Sequence, residues 1–496
     1  MDKLKIILAA SEVVPFAKSG GLADVAGALP KALKAQGHDV RVVMPRYYII
    51  DREKYDLKQI DGLLDVPMGS MGERWAAVYE GRLPGSDVPV YFIEHEAMFG
   101  RKGLYDDDNG YAYIDNDNRF IFFSRAVMQL AKMLDFKPDI VHANDWHTAI
   151  IPLLLNSAYV FDPFFEGTAS LLTIHNMQHQ GRYYGGAVDV MGVSWSHFNH
   201  YELEDFHGIN MLKGGIVHAD AVTTVSRRYA QEIQTPEFGW GLHDVVKAHS
   251  EKLFGIVNGV DYDEWNPSKD PMIAANYDSD MMEGKLRCKQ DLQKYFGLFE
   301  RDDVALIGLV GRLADQKGIS LLAGAIWRLM QLDIQVVLLG TGEKWAEHFF
   351  SDLSAHYQGR FGCYIGYDNA IAHQIEAGSD FFLMPSLFEP CGLNQIYSLR
   401  YGTLPIVRAT GGLDDTIENY DPGSNSGTGF KFHDATVDAL VNTVTWAVDL
   451  WYRDKEAIGM LKRNAMEQRF SWEEAAASYA DIYRLAIMKR RCRKHQ

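Results

Sequence analysis

Two separated stretches carry the residue types most suited to chemistry. Glu389-Pro-Cys-Gly-Leu-Asn-Gln supplies a carboxylate, and Gly311-Arg-Leu-Ala-Asp-Gln-Lys317 supplies the cations Arg312 and Lys317. Gly392, Gly411 and Gly412 add backbone N–H groups at turns and helix starts, where phosphate oxygens can be capped. These are the parts needed to hold a sugar joined to a diphosphate. Fixed cations neutralise a departing phosphate, and a carboxylate binds hydroxyls and steadies positive charge at the sugar carbon.

Further candidates lie upstream. Lys18-Ser-Gly-Gly-Leu follows the first apolar run, and Gly20-Gly21 open a helix expected to run through Ala28. Glycines there let a backbone approach a ligand, and a helix start favours anions. The stretch is neither a Walker loop nor a G-x-G-x-x-G fingerprint, so alone it reads as a solvated lysine in a loop. Asp145-Trp-His147 and His175-Asn176 each follow a short apolar run, the edge where open α/β sheets bind ligands. Cys391 has no basic neighbour in sequence and reads as a contact residue rather than a nucleophile. His142, His179 and His207 read as structural. The aspartates at 106–108, 115 and 117 sit in an expected surface loop over 106–118, so no metal site is expected there.

With 49 Lys plus Arg against 66 Asp plus Glu, the net charge of −17 argues against a nucleic-acid partner. Four cysteines without close spacing form neither a disulfide framework nor a zinc pattern. The first residues lack the form of a signal peptide, and no apolar run reaches membrane-spanning length, which together point to the cytoplasm.

The elements that must position these residues come in two series. Apolar runs at 6–10, 40–44, 90–93, 140–143, 171–174 and 221–225 alternate with helical patterns, as in a parallel sheet covered on both faces. A second series is read as starting at 253 and continuing through 305–310, 335–339, 362–365, 381–385 and 404–407. Residues 472–490 read as an amphipathic helix behind Ser471, and 421–429 as a loop.

These residues carry a resemblance. The chain resembles the bacterial glycogen synthases, the ADP-glucose-using branch shared with plant starch synthases. The likeness runs through Lys-Ser-Gly-Gly-Leu-Ala-Asp at 18–24, His142-Ala-Asn-Asp-Trp-His147, Thr173-Ile-His-Asn176, Ile256-Val-Asn-Gly-Val-Asp261, 311–318, Gly366-Tyr367, 388–395, Gly402-Thr-Leu-Pro405 and Thr410-Gly-Gly-Leu413. It implies an α/β GT-B fold, two Rossmann-like domains facing across a deep cleft, with a C-terminal helix crossing back to the N-terminal domain. The domains implied are 1–252 on the acceptor side, 253–471 on the nucleotide-sugar side, and 472–496 as the returning helix. The reaction implied moves glucose from ADP-glucose to the non-reducing end of an α-1,4-glucan such as glycogen. It proceeds with retention and with no metal or further cofactor.

Carried onto this sequence, the resemblance places Lys18 on the diphosphate, with Gly20, Gly21 and Asp24 beside it. Arg312 and Lys317 bind the diphosphate as it leaves, and Glu389 holds the glucosyl unit. The backbone of Cys391, Gly392 and Leu393, with Gly411 and Gly412, supports glucose or phosphate, while Tyr367 lies against the adenine. Asp145 and His175 line the glucose. Glu12, Trp146, His147 and Asn176 are acceptor-side candidates. Position 19 is Ser where many bacterial relatives carry Thr, and Tyr397 stands where the wider clan often has a second glutamate. Three alternatives stay open on sequence: a UDP-glucose donor, a pyridoxal-phosphate-dependent glucan phosphorylase, and a non-catalytic binder of glucan or sugar nucleotide.

Overall fold

In the computed structural model, which describes residues 3–493, the apolar runs become two large sheets. In the first, parallel strands lie in the order Leu253–Gly255, Ala221–Thr224, Ala169–Ile174, Ile140–Asn144, Lys5–Ala9, Asp39–Pro45 and Pro89–Glu94. Lys5–Ala9 sits between Asp39–Pro45 and Ile140–Asn144, so the chain order reverses there. Such a reversal leaves a crevice outside the strand C-termini. The segments bearing Glu12, Lys18 and Asp145 leave from that edge.

Beyond Pro89–Glu94 this sheet departs from the parallel expectation. Glu73–Arg82 pairs antiparallel with Pro89–Glu94, Lys58–Gln59 and Leu64–Pro67. Its burial alternates, as in a strand with one wet face, so it gives no continuous apolar run to read from sequence. A second correction concerns Leu253–Gly255. Read as the start of the second series, it pairs instead with Ala221–Thr224 in the first sheet. The polar stretch 106–118 is also only partly loop. The helix Asn116–Met133 starts inside it, with Asn116 buried.

The second sheet is parallel throughout, in the order Phe361–Ile365, Ile334–Gly340, Ala305–Val310, Phe381–Met384, Leu404–Arg408 and Phe430–Phe432. Its order reverses between Ala305–Val310 and Phe381–Met384. The loops bearing Arg312 and Glu389 leave the C-terminal ends of those two strands. A small antiparallel sheet of Glu204–Asp205, Gly208–Asn210 and Arg182–Tyr184 stands apart.

The described residues form two compact units. One takes the chain to Val225, then Ala230–Ile256 and the helix Trp472–Arg493; the other takes Ser226–Tyr229 and Val257–Ser471. No described helix is long and apolar enough to cross a membrane.

The helix opened by Gly21 does not stop at Ala28. It runs through Pro30 to Ala35. An interior proline costs about 3 kcal/mol, while burying a leucine side chain contributes about 1.5–3 kcal/mol. Leu29 and Leu33, both fully buried, offset that cost.

The helix Trp472–Arg493 packs on Gly21–Ala35 and on the strand Ala169–Ile174. Its Tyr483 hydroxyl lies 2.8 Å from His142 Nδ1, and His142 Nε2 lies 2.6 Å from Thr173 Oγ1. Thr173 Oγ1 in turn meets Thr223 Oγ1 at 2.6 Å. This buried polar row crosses neighbouring strands and ends on the helix. Burial, with a smaller repulsion from His175, pushes His142 down to about 3, so the row is neutral. Tyr483→Phe leaves His142 Nδ1 buried and unpaired, which costs about 1–3 kcal/mol. The expected result is a lower urea midpoint for the first unit, with secondary structure unchanged by circular dichroism.

Candidate active site

In the first unit, Glu12 organises the loop that carries Lys18. The carboxylate accepts from Ser19 Oγ at 2.9 Å, from Gly20 N–H at 3.1 Å and from Ser19 N–H. The Tyr105 hydroxyl lies 3.0 Å from Glu12 Oε1 and 2.7 Å from Ser11 Oγ. Glu12 is thus bound to the glycine loop itself, and the Gly20 N–H expected to face a phosphate is already engaged. Burial raises the Glu12 carboxyl, opposed by these hydrogen bonds. Lys18 pairs with Asp24 at 2.7 Å and stays about half exposed.

Tyr105 was not legible as a site residue. Its segment is anchored by Arg119, fully buried, which donates to Met98 O at 2.6 Å, Asn116 Oδ1 at 2.5 Å and Leu104 O at 3.0 Å. The neighbouring aspartates are satisfied locally: Asp108 pairs with Lys102, Asp115 with Arg101, and Asp107 accepts backbone N–H groups of its own turn.

Asp145 has φ of +52°, a left-handed conformation that aims its carboxyl back across the strand ends. Oδ1 accepts from His175 N–H at 2.7 Å, and Asn176 N–H also donates to the group. Burial outweighs these bonds and pushes Asp145 up to about 7. Asn144 Nδ2 donates to Ala9 O at 3.1 Å, which turns Asn144 Oδ1 toward His175 Nε2, 2.9 Å away. His175 therefore carries its proton on Nε2 and keeps Nδ1 as acceptor. Burial pushes it down to about 3, so it is neutral.

Trp146 and His147 diverge. His147 is buried and stacked on Tyr105, with ring centroids 4.6 Å apart, so it braces the Tyr105 segment. Trp146 lines a cavity of about 290 Å³ with Gln178, Gln180, Arg182, Tyr183 and Trp240. Aromatic faces beside amide groups suit a neutral polyhydroxyl ligand. Asn176 Oδ1 accepts from Gln178 N–H at 3.0 Å and shapes the turn leading into that cavity.

In the second unit, the two sequence stretches meet. Lys317 Nζ is 2.6 Å from Glu389 Oε2, and Ser386 Oγ donates to the same oxygen at 3.1 Å. Arg312 Nη2 donates to Gln316 Oε1 at 3.1 Å, and Leu387 N–H donates to Gln316 O at 2.9 Å. Gln316 ties the two loops together, while Ser386 braces Glu389 within its own loop; neither was singled out from sequence, although both lie inside or beside the motifs.

Glycines make this closeness possible. A Cβ on Gly411, whose φ is +45°, would meet Glu389 O at 2.0 Å, and one on Gly412 would meet Cys391 O at 1.9 Å. Gly412 N–H donates to Glu389 O at 3.0 Å. Gly392 adopts φ of +73°, and Leu393 leads into the helix Asn394–Arg400. Cys391 is buried and pushed up to about 12, chiefly by that burial, which fits a contact role. Tyr367 is 76% exposed at the end of Phe361–Ile365, offering an open ring face.

Two α/β units, with a cation–carboxylate pair at one reversal point and an aromatic cavity in the other unit, define a glycosyltransferase of the two-domain GT-B type. Residues 5–248 match the family model described as starch synthase catalytic domain, and 293–468 match glycosyl transferases group 1. Glycogen synthase 1 of Geobacter sulfurreducens is 59% identical over 490 residues, covering 99% of this chain and 98% of that protein. Glycogen synthase of Treponema denticola is 46% identical over 492 residues, covering 98% of this chain and 99% of that protein. The catalytic domain of starch synthase IV from Arabidopsis thaliana, solved bound to ADP and acarbose, superposes with a TM-score of 0.89 at 32% identity. That match covers 98% of this chain and 100% of that one. The chain belongs to the glycogen and starch synthase family.

Two outcomes are expected. A carboxyl raised on folding stabilises most below its unfolded value, and that contribution is lost as pH rises through the folded one. Wild type should therefore lose stability relative to Asp145→Asn between about pH 4 and pH 7 and hold level above, read by thermal midpoints across that range. Gly412→Ala should displace the Cys391 carbonyl and abolish most activity while the far-ultraviolet spectrum stays native.

Proposed function

We propose that this protein is a retaining glucosyltransferase that moves glucose from ADP-glucose to the non-reducing end of an α-1,4-glucan in glycogen synthesis. The observation that carries the reading is the Lys317–Glu389 pair, with Arg312 beside it, at the sheet edge where ligands bind. A diphosphate draws Lys317 and Arg312 as its negative charge grows, and Glu389 takes the sugar hydroxyls. The exposed Tyr367 ring suits a purine base. The cavity beside Trp146 suits the glucan, and Lys18 adds charge for the nucleotide.

Retention could proceed through a covalent glycosyl-enzyme or by substitution on one face. Asp145 is poorly suited to be a nucleophile. Its carboxyl is half protonated near neutral pH, and it accepts the backbone N–H groups of His175 and Asn176. Glu389 is bonded to a cation and to Ser386. Both environments favour a front-face step. In it, the C1–phosphate bond breaks, the leaving phosphate oxygen takes the proton of the acceptor hydroxyl, and the acceptor oxygen so freed bonds C1 from the same side. Lys317 and Arg312 meet the charge that develops, so the step is routed through no metal. Neutral His175, with its proton directed at Asn144, fits a wall of the glucose site.

Labelled ADP-glucose and UDP-glucose, each incubated with glycogen, test the reading. Incorporation from ADP-glucose should dominate and persist in excess chelator; a protein that binds both and transfers neither would overturn it. Lys317→Ala should lower kcat by about 10²–10³-fold, the cost of about 3–4 kcal/mol typical of one lost transition-state contact. Steady-state kinetics with unchanged turnover would remove Lys317 from the mechanism.

A further inference from the structure

The second unit holds a cavity of about 320 Å³ that no step above uses. It lies at the opposite edge of the sheet from Glu389. Asp380 lines it and immediately precedes the strand Phe381–Met384, and its Oδ2 accepts the N–H of Leu306 at 3.1 Å in the neighbouring strand. Strands of this length at about 3.3 Å per residue put it about 13–20 Å from the catalytic loops.

The charge in this cavity is out of balance. Lys285, Lys289, Lys462 and Arg463 line it, against the carboxylates of Asp302 and Asp380. Lys455 adds a further cation, its ammonium 3.4 Å from the ring centre of Trp451, another lining residue. Burial pushes Glu376, which contacts this cluster electrostatically, up to about 8 and Lys285 down to about 7, so Glu376 brings no compensating charge at neutral pH and the excess rests on Lys289, Lys455, Lys462 and Arg463. Lys289 is saturated, donating to Asp380 Oδ2 at 2.7 Å and to the carbonyls of Asp302 and Val304. Lys285 likewise donates to Ala377 O, Tyr401 O and Thr403 Oγ1.

Lys462 differs. Its side chain is 14% exposed, and among the described residues its ammonium has a single hydrogen-bond acceptor, Asp380 Oδ1 at 3.3 Å, with the Trp451 ring centre 5.0 Å away. Hydrogen-bonding capacity remains on a nearly buried cation that faces other cations. The Arg463 guanidinium makes no ion pair among the described residues. A planar fork and an ammonium on adjacent residues suit a tetrahedral oxyanion. Met282, Leu286 and Trp451 give the remainder of the wall an apolar character.

We infer that this cavity is a second anion site, which takes the phosphate monoester of a small metabolite through Lys462 and Arg463 and seats its organic part against Met282 and Leu286. A dianion there balances the excess cations, and the site is independent of the glucosyl-transfer reading.

Calorimetric titration of the full-length protein with glycerol 2-phosphate and with inorganic phosphate, at ionic strength matched with chloride, tests this. Wild type and Lys317→Ala should bind the ester equally and more tightly than inorganic phosphate. K462Q/R463Q should bind it at least about tenfold more weakly, the equivalent of about 1.4 kcal/mol. Lys462→Arg should retain binding. Lys455→Met, on the exposed rim, should weaken it about threefold, the scale of an exposed charge pair, and it serves if the double variant does not fold. Equal affinity in wild type and K462Q/R463Q, loss of binding in Lys317→Ala alone, or no heat above the chloride control would each overturn the proposal.

Discussion

The pairing of Lys317 with Glu389 is the interaction on which the second unit's working edge depends. It joins loops leaving adjacent strands, and those loops can approach only because the surrounding backbone is bare. Gly318, at φ of +72°, packs where a Cβ would meet Pro385 O at 2.0 Å, and Gly411 and Gly412 do the same for the Glu389 and Cys391 carbonyls. The ammonium is therefore held in place before any ligand arrives, and an anion drawn to it has to share it with the Glu389 carboxylate. Ser386 donates a second hydrogen bond to the same Glu389 oxygen.

The carboxyl groups of the two units sit in contrasting surroundings. Glu389 faces a cation, whereas Glu12 and Asp145 face hydroxyl and backbone N–H donors and form no ion pair among the described residues. Burial then decides the balance, and both of the latter are raised. The first unit thus uses these carboxyls to hold a loop and a turn in shape.

Much of this was legible in the residues. Apolar runs such as 140–143 and 305–310 mark strands because a parallel sheet buries both faces, and the chemistry-bearing residues directly follow them. Glu73–Arg82 was missed because a half-wet strand lacks such a run. Leu253–Gly255 was assigned to the wrong sheet because an apolar run does not name its partner strand. Tyr105 was missed for another reason: it acts through Glu12, 93 residues away in sequence, and only chain closure reveals the pairing. Gln316 and Ser386 meet Arg312 and Glu389 within their own loops, but a neutral amide and a hydroxyl carry no signal of their own beside charged residues. The bonds from Glu12 to the glycine loop seven and eight residues on also needed the folded chain to be seen.

The first unit is discontinuous: the chain leaves it after Ile256 and returns at Trp472. Synthesis is vectorial, and domains emerging early generally fold first. Here the second unit has its whole sequence available while the first still lacks the helix that supplies Tyr483 to His142. Until the last helix emerges from the ribosome, a histidine in the middle of the first sheet has no partner on that side, and the apolar surface beside Gly21–Ala35 is uncovered. The nascent chain thus passes through a stage in which its earliest-made half is the one still unfinished, a window in which chaperone capture competes with closure.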